Sequence, residues 1–213
     1  MQITRLGHSC FKIQNNETTL IIDPFDDSIG LKMPRLSADI VLASHNHYDH
    51  NNLAAIRGTA FQISSPGEYE IKDFFIYGIP SFHDDNEGKI RGENIIFLIE
   101  IEGVRVAHLG DLGQRTLTEE QLKKLEGVDI LMIPVGGVYT IDARVASEII
   151  AELEPRIVIP MHYGEPGLKI KLDDLDKFKK EMGNKIEVLD KLKIKKKDLP
   201  ETETKIIVLT PPT

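Results

Sequence analysis

The stretch ASHNHYDHNN at positions 43–52 holds three of the chain's seven histidines, His45, His47 and His50, with Asp49 among them. Such a concentration admits a metal site, a pH-sensitive cluster or a solvated polar loop. The preceding run DIVLAS (39–44) has the apolar content of a strand, and a strand turns residues i and i+2 to one face. His45 and His47 would therefore project together, while the following loop returns Asp49 and His50. Two imidazoles on one side and an Asp–His pair on the other suit two adjacent metal ions better than one. Zn²⁺ takes both donor types at roughly 2.0–2.2 Å.

A metal site needs further donors, and three fall where an apolar run meets a loop. His83 ends FFIYGIPSF and opens the polar loop HDDNEGKIRGEN, Asp111 follows VRVAHLG, and His162 follows RIVIP. Strand-to-loop junctions are where a rigid scaffold presents functional groups.

The elements that must position these groups are mostly strands in the first half. ITRLGHSCFKIQ, TTLIIDPF, DIVLAS, FQISS, FFIYGIP and NIIFLIEI are short, rich in Ile, Leu, Val and Phe, and separated by turn residues. NNETT (15–19) and the segment around Gly88–Gly92 read as turns. NNLAAIRG is expected to open a short helix. Later, Thr118 and Gln121 match a capping box, Asp142 is placed to cap ARVASEIIAEL, and LDDLDKFKKEMG carries acids early, lysines late and a stop at Gly183. RIVIPM and KIIVLTP are strands. About four helices and many strands, with no long linker, predict one domain over residues 1–213 in which two face-to-face sheets carry helices outside.

Composition narrows the function. The 213 residues are 41% hydrophobic and 28% charged, an ordinary globular balance. A net charge of −8 opposes general nucleic-acid binding, which needs Lys and Arg to displace counterions. The basic run KLKIKKKDL (191–199) interleaves Leu192, Ile194 and Leu199 with lysines, as a solvated edge strand does. No apolar run spans a bilayer, and MQITRLGHSCFKIQ lacks the apolar core of a signal peptide. Cys10 is the only cysteine, so no intrachain disulfide is available and a cytoplasmic location is expected.

HNHYDH reads as HxHxDH, and with the later His83, Asp111 and His162 in order it resembles the metallo-β-lactamase fold superfamily. The resemblance runs from TTLIIDPF to KIIVLTP. It implies an α/β fold, a four-layer αβ/βα sandwich, with a two-metal site at one sheet edge. It further implies that His45, His47 and His83 hold one ion, that Asp49, His50 and His162 hold the other, and that Asp111 bridges them. GHSCF near the start and PGEYE (66–70) look more specifically like the branch of bacterial ascorbate-phosphate lactonases and N-acyl phosphatidylethanolamine phospholipases. Those enzymes are longer and carry insertions, so their substrates do not carry over to this near-bare form of the fold.

The implied activity is metal-dependent hydrolysis of a small ester, lactone or phosphodiester. Two divalent ions, zinc first with Mn, Fe or Ni as other choices, would activate water, and Asp49 would orient the nucleophile as well as bind metal. His8 is expected on the substrate side, in a catalytic role. His108 reads as a hydrogen-bonded structural residue, Cys10 as a core or pocket-wall thiol, and Asp84 and Asp85 as partners of a ligand imidazole or as solvated loop acids. Arg91 is placed to meet an anionic small-molecule substrate or to lie on the surface, and Tyr163 to line the pocket or cover the sandwich edge. Competing readings on the same fold are a di-iron oxidoreductase, whose HxExD pattern puts an acid where His47 stands, and a non-catalytic metal binder, whose usual mark is lost ligands. A nuclease is disfavoured by the acidic balance. Nothing in the sequence indicates an oligomeric state or a membrane partner.

Overall fold

Runs of Ile, Val, Leu and Phe dictate the architecture, because β-branched and aromatic side chains pack well on a pleated surface. The computed structural model describes residues 1–183 and 185–212. In chain order the elements of the first half are β1 (Gln2–Gly7), β2 (Cys10–Gln14), β3 (Thr19–Ile22), β4 (Leu36–Ser37), β5 (Ile40–Leu42), β6 (Ile56–Arg57), β7 (Phe61–Ile63), β8 (Gly67–Ile71), β9 (Phe74–Phe82), β10 (Glu93–Ile101) and β11 (Val104–His108). There follow α1 (Glu119–Leu125), β12 (Ile130–Pro134), α2 (Ala143–Leu153), β13 (Ile157–Met161), α3 (Leu175–Met182), β14 (Ile186–Leu189), β15 (Leu192–Lys193) and β16 (Lys205–Leu209).

Six strands form one sheet in the order β15-β1-β2-β3-β5-β7, and eight form a second in the order β14-β16-β13-β12-β11-β10-β9-β8. The sheets face each other across a core that includes Ile13, Ile22, Leu42, Phe74, Phe97, Val106, Met132 and Ile159. The outer face of the eight-stranded sheet is covered by the helices, whose Leu125, Val145, Ala146, Ile149 and Phe178 pack on Leu98, Leu131 and Val158. The outer face of the six-stranded sheet has a thinner cover, in which Phe25, Ile29, Met33 and Ile56 from turns and short strands lie over Cys10, Ile21 and Val41. The expected αβ/βα sandwich is therefore present, with one outer layer pared down.

The three α-helices start and stop where the sequence signals them. The Thr118 hydroxyl accepts from Gln121 N and the Gln121 side chain accepts from Thr118 N, closing the capping box. Asp142 accepts from Val145 N at 2.9 Å, and Gly183 ends α3 at φ +82°. Three expectations need correction. The run 3–14 is a hairpin rather than one strand, with its turn at His8 (φ +50°) and Ser9 after Gly7 (φ +130°) closes β1. NNLAAIRG forms only a 3₁₀ turn at Leu53–Ala55 before passing into β6, so among the described residues three α-helices stand where about four were expected. In the basic run, only Leu192–Lys193 pairs as an edge strand, and Lys196–Asp198 is a further 3₁₀ turn. Leu192, Ile194 and Leu199 are nonetheless buried under the solvated lysines. Among the described residues no helix is long and apolar enough to cross a membrane.

One consequence of this topology positions the site. β1 and β3 both run antiparallel to β2, and β5 is parallel to β3, so all three end at one edge of their sheet. In the other sheet β9 and β11 both run antiparallel to β10, while β12 and β13 are parallel to β11. Their carboxyl ends open onto one common edge of the sandwich, where open α/β sheets present their ligand crevices.

Candidate metal centre

Six of these strands deliver a polar group just beyond their last residues. β1 leads to His8, β3 to Asp23, β5 to Ser44 and His45, β9 to His83, β11 to Asp111 and β13 to His162. His8, Asp23 and His162 sit in the left-handed region at φ +50°, +52° and +52°. Backbone strain of this kind persists where the surroundings over-determine a position. Gly110, at φ +56°, lets β11 approach closely enough that any side chain there would collide with Asn94 Oδ1 and Ser44. A Cβ at Gly113 would likewise strike the His83 carbonyl.

All seven predicted ligand groups converge. His45, His47 and His83 form one cluster of possible ligand atoms within 4.8 Å of one another, and His8, Asp49, His50 and His162 form a second. Asp111 stands between them. Its Oδ2 lies 3.3 Å from His83 Nε2 and 3.1 Å from His162 Nε2, and its Oδ1 lies 3.2 Å from His50 Nε2. His45 Nε2, His50 Nε2 and Asp111 Oδ1 are buried without a hydrogen-bond partner. Orphaned polar atoms are costly in a folded interior, and inward-facing imidazole and carboxylate atoms are the donor set a divalent ion would satisfy. The residues therefore fit a pair of metal ions.

Without metal, burial and the neighbouring charges act differently on the several imidazoles. Burial, reinforced by His162, lowers His8 to about 3, and burial with His50 lowers His45 to about 3. These imidazoles stay neutral, the form that coordinates metal. Burial raises the Asp111 carboxyl, but His162 and His50 outweigh it and hold it well below the ordinary carboxylate range. Asp49 behaves alike, with burial overcome by the neighbouring His50 and His8. For His50, burial is outweighed by Asp111, Asp23 and Asp49, and it is raised well above the ordinary histidine value.

Several residues that support the site carried no obvious signal in sequence. The Asp23 carboxylate is fully buried and takes His50 Nδ1 at 2.9 Å, Ser44 N at 2.7 Å and Ser44 Oγ at 2.7 Å. Ser44 Oγ in turn meets His45 Nδ1 at 2.9 Å. A carboxylate on the outer nitrogen of a ligand histidine fixes its orientation and raises its basicity. Buried Asn94 accepts from Asp111 N and donates to Leu109 O and to Ser81 Oγ, pinning the loop that carries Asp111. The only available hint was an acid or amide abutting an apolar run.

The remaining candidates divide. His8 is wholly buried behind the centre, with Nε2 3.3 Å from Asp49 Oδ2 and its ring 4.5 Å from that of His162, so it is not on the open, substrate side. His108 has both nitrogens engaged, Nε2 with Ser9 O at 2.9 Å and Nδ1 accepting from Gly110 N at 3.1 Å, as a structural histidine does. Cys10 is a buried core thiol. Asp84 touches no ligand imidazole and is not solvated; its carboxylate accepts backbone N–H groups from Asn86, Gly88, Ile90 and Arg91. Asp85 is exposed and pairs with Arg115. Tyr163 is buried under Arg5, whose guanidinium lies 4.8 Å from its ring centroid, and covers the sandwich edge rather than lining the pocket. Arg91 does border the centre, at the mouth of a cleft of 600 Å³ whose floor includes His47, Asp49, His83, Asp111 and His162.

The family model described as a beta-lactamase superfamily domain matches residues 2–162. The chain belongs to the metallo-β-lactamase superfamily. A Thermotoga maritima protein described as a candidate Zn-dependent hydrolase of this superfamily superposes with a TM-score of 0.80 at 34% identity, covering 98% of this chain and 99% of its own. A UPF0173 protein of Pyrococcus abyssi is 31% identical over 78% of this chain and 85% of its own length. A Thermococcus onnurineus relative named UPF0173 metal-dependent hydrolase is 28% identical over 89% of this chain and 95% of its own. The superfamily's two-sheet fold and the edge-located cluster thus agree with the resemblance carried by HNHYDH.

Proposed function

We propose that this protein is a metal-dependent hydrolase with a dinuclear centre, cleaving a small ester, lactone or phosphodiester. One observation carries the reading: Asp111, buried, lies within 3.3 Å of histidines from both donor clusters, and His47, Asp49, His83, Asp111 and His162 line one open cleft. His45, His47 and His83 would hold one ion, Asp49, His50 and His162 the other, with Asp111 shared. Imidazole and carboxylate donors favour Zn²⁺, while Mn, Fe and Ni remain compatible. When bound, the ions supply Lewis-acid polarisation of the substrate oxygen and lower the pKa of water.

The chain's own residues do the rest. Asp23 and Ser44 lock His50 and His45 in orientation, so the ligand atoms need no reorganisation on loading. Asp49 is held ionised beside the cleft floor, and its carboxylate accepts a hydrogen bond from the attacking water, aligning it. His8, neutral and buried, fixes Asp49 from behind. A cytoplasmic setting suits a chain whose lone thiol is buried and unpaired.

The test is metal analysis with a substrate screen. Protein loaded in turn with Zn²⁺, Mn²⁺, Fe²⁺ or Ni²⁺ is assayed against lactone, thioester, phosphodiester and carboxylic-ester panels. The expected result is about two equivalents of metal per chain and hydrolysis that chelation abolishes and metal restores. Full loading with no turnover anywhere in the panel, or turnover indifferent to chelation, overturns the reading.

A further inference from the structure

The walls of the cleft differ in character from its floor. Tyr48, Ile90 and Tyr139 are 60%, 69% and 41% exposed, three of the seven large apolar side chains most open to solvent among the described residues, and all three line this cleft. Interleaved with them are Arg91, Lys169 and Lys171. Among the described residues none of these three cations is in an ion pair, whereas twelve other lysines and arginines, Arg5 included, pair with acids. Among the described residues that line the cleft, the acids are Asp49 and Asp111, both on the floor. In a protein of net charge −8, three cations outside any ion pair thus stand at an opening to the metal centre.

Arg91 is also pre-positioned. Asp84 Oδ2 holds the backbone N–H of Ile90 at 2.9 Å and of Arg91 at 2.7 Å, fixing both residues at the rim. The guanidinium lies 5.5 Å from the Tyr139 ring centroid and reaches the Val138 carbonyl at 3.4 Å. Val138 is β-branched yet sits at φ +59°, an uncommon conformation that turns its carbonyl to this contact. Arg91 retains further N–H donors in a planar fork suited to an oxyanion.

We propose that the cleft selects an amphipathic anion: a substrate with an apolar or aromatic body seated on Tyr48, Ile90 and Tyr139, and a carboxylate or phosphate, remote from the bond cleaved, bound by Arg91 with Lys169 and Lys171. Arg91 is the specificity-determining residue. The cleft volume, 600 Å³, is that of a small-molecule site. The inference rests on the hydrolase reading for the word substrate, but its test requires no turnover.

Equilibrium binding of phenylbutyrate, phenethyl phosphate, neutral phenylbutanol and butyrate is measured on the full chain, both Zn²⁺-loaded and chelated, for the wild type and for Arg91→Gln. Either aromatic anion is expected to bind about tenfold more tightly than phenylbutanol, by charge-assisted hydrogen bonding. Phenylbutyrate should likewise exceed butyrate by about tenfold, from burial of the ring. The anion preference should persist after chelation, narrow at high ionic strength and fall about fivefold or more in Arg91→Gln. The tighter of the two oxyanions names the headgroup. Equal binding of anion and alcohol, or a preference that vanishes on chelation and ignores Arg91→Gln, overturns the proposal, because coordination to the metals would then explain it. Selective binding without hydrolysis of any panel compound would leave this inference standing and remove the hydrolase reading; hydrolysis with unselective binding would do the reverse.

Discussion

Arg5 and Glu165, 160 positions apart, form a two-pronged ion pair, with Nη1 to Oε2 at 3.0 Å and Nη2 to Oε1 at 2.8 Å. The pair clasps the turn that carries His8: Arg5 Nε donates to His8 O, and His8 N donates to Glu165 Oε1. Glu165 lies just beyond His162, so one buried contact ties the β1–β2 turn to the His162 loop. Removing one charge strands the other in a site where Arg5 is only 1% exposed. Glu165→Gln should therefore destabilise the fold by about 3 kcal/mol or more, a fall in Tm of roughly 10 °C for a chain of this size. The double variant Arg5→Met/Glu165→Leu should recover part of that loss, since no uncompensated charge remains. Urea denaturation of Arg5→Met, Glu165→Leu and the double variant measures the coupling, and strict additivity would refute the role assigned to the pair.

Asp23 offers a test of how the ligands are held. Asp23→Asn keeps the size of the side chain but presents an amide to the His50 and Ser44 donors. Metal affinity should fall about 10- to 100-fold while the seven ligand groups remain in the chain. Competition with a chromophoric chelator reads this directly, on preparations whose folding has been checked by circular dichroism. Unchanged affinity would show that His50 needs no such partner.

Much of this centre was legible because its signal is local. HNHYDH places four donors within one short stretch, and His83, Asp111 and His162 each follow an apolar run that had to be a strand. Asp23, Asn94, Arg5 and Glu165 were not legible, because each acts on a residue far away in sequence; Asp23 reads as the end of a strand until the fold sets it against His50. The hairpin within 3–14 was not legible because no Asn-Gly or Asp-Gly pair marks its turn, and His8-Ser9 takes that role instead. NNLAAIRG has helical periodicity, but its few apolar residues before Gly58 cannot offset the cost of nucleating a helix. The pared outer layer follows from the same shortage.

The metal-free protein should lose stability on mild acidification. His8 and His45 are lowered from 6.5 to about 3 in the folded state, so between those values the unfolded chain binds protons that the native state does not. Stability then rises with pH across that window and falls as pH drops through it. The depressed carboxyls of Asp23, Asp49 and Asp111 act in the same direction below the ordinary aspartate value. His50, raised, works oppositely: its contribution is present below 6.5 and fades only as pH climbs through its elevated value. Urea midpoints of chelated protein should consequently decline steadily from neutrality to about pH 4.5. A flat profile over that range would mean the buried imidazoles are not held neutral.

The last prediction separates the shared ligand from a neighbour that only looks like one. Asp111 and His108 lie three positions apart and both are buried, yet Asp111 Oδ1 is without a hydrogen-bond partner while both His108 nitrogens are satisfied. Asp111→Asn removes a negative charge from between the two clusters, and an amide is a poor partner for two cations. Metal stoichiometry should drop from about two towards one per chain, with strong loss of any hydrolysis. His108→Gln breaks contacts to Ser9 and Gly110 instead, so its cost should appear as about 1–3 kcal/mol of stability with stoichiometry retained. Elemental analysis and urea denaturation on the same preparations decide the matter. Two ions still bound in Asp111→Asn, or one lost in a folded His108→Gln, would exchange the roles and remove the shared carboxylate from the centre.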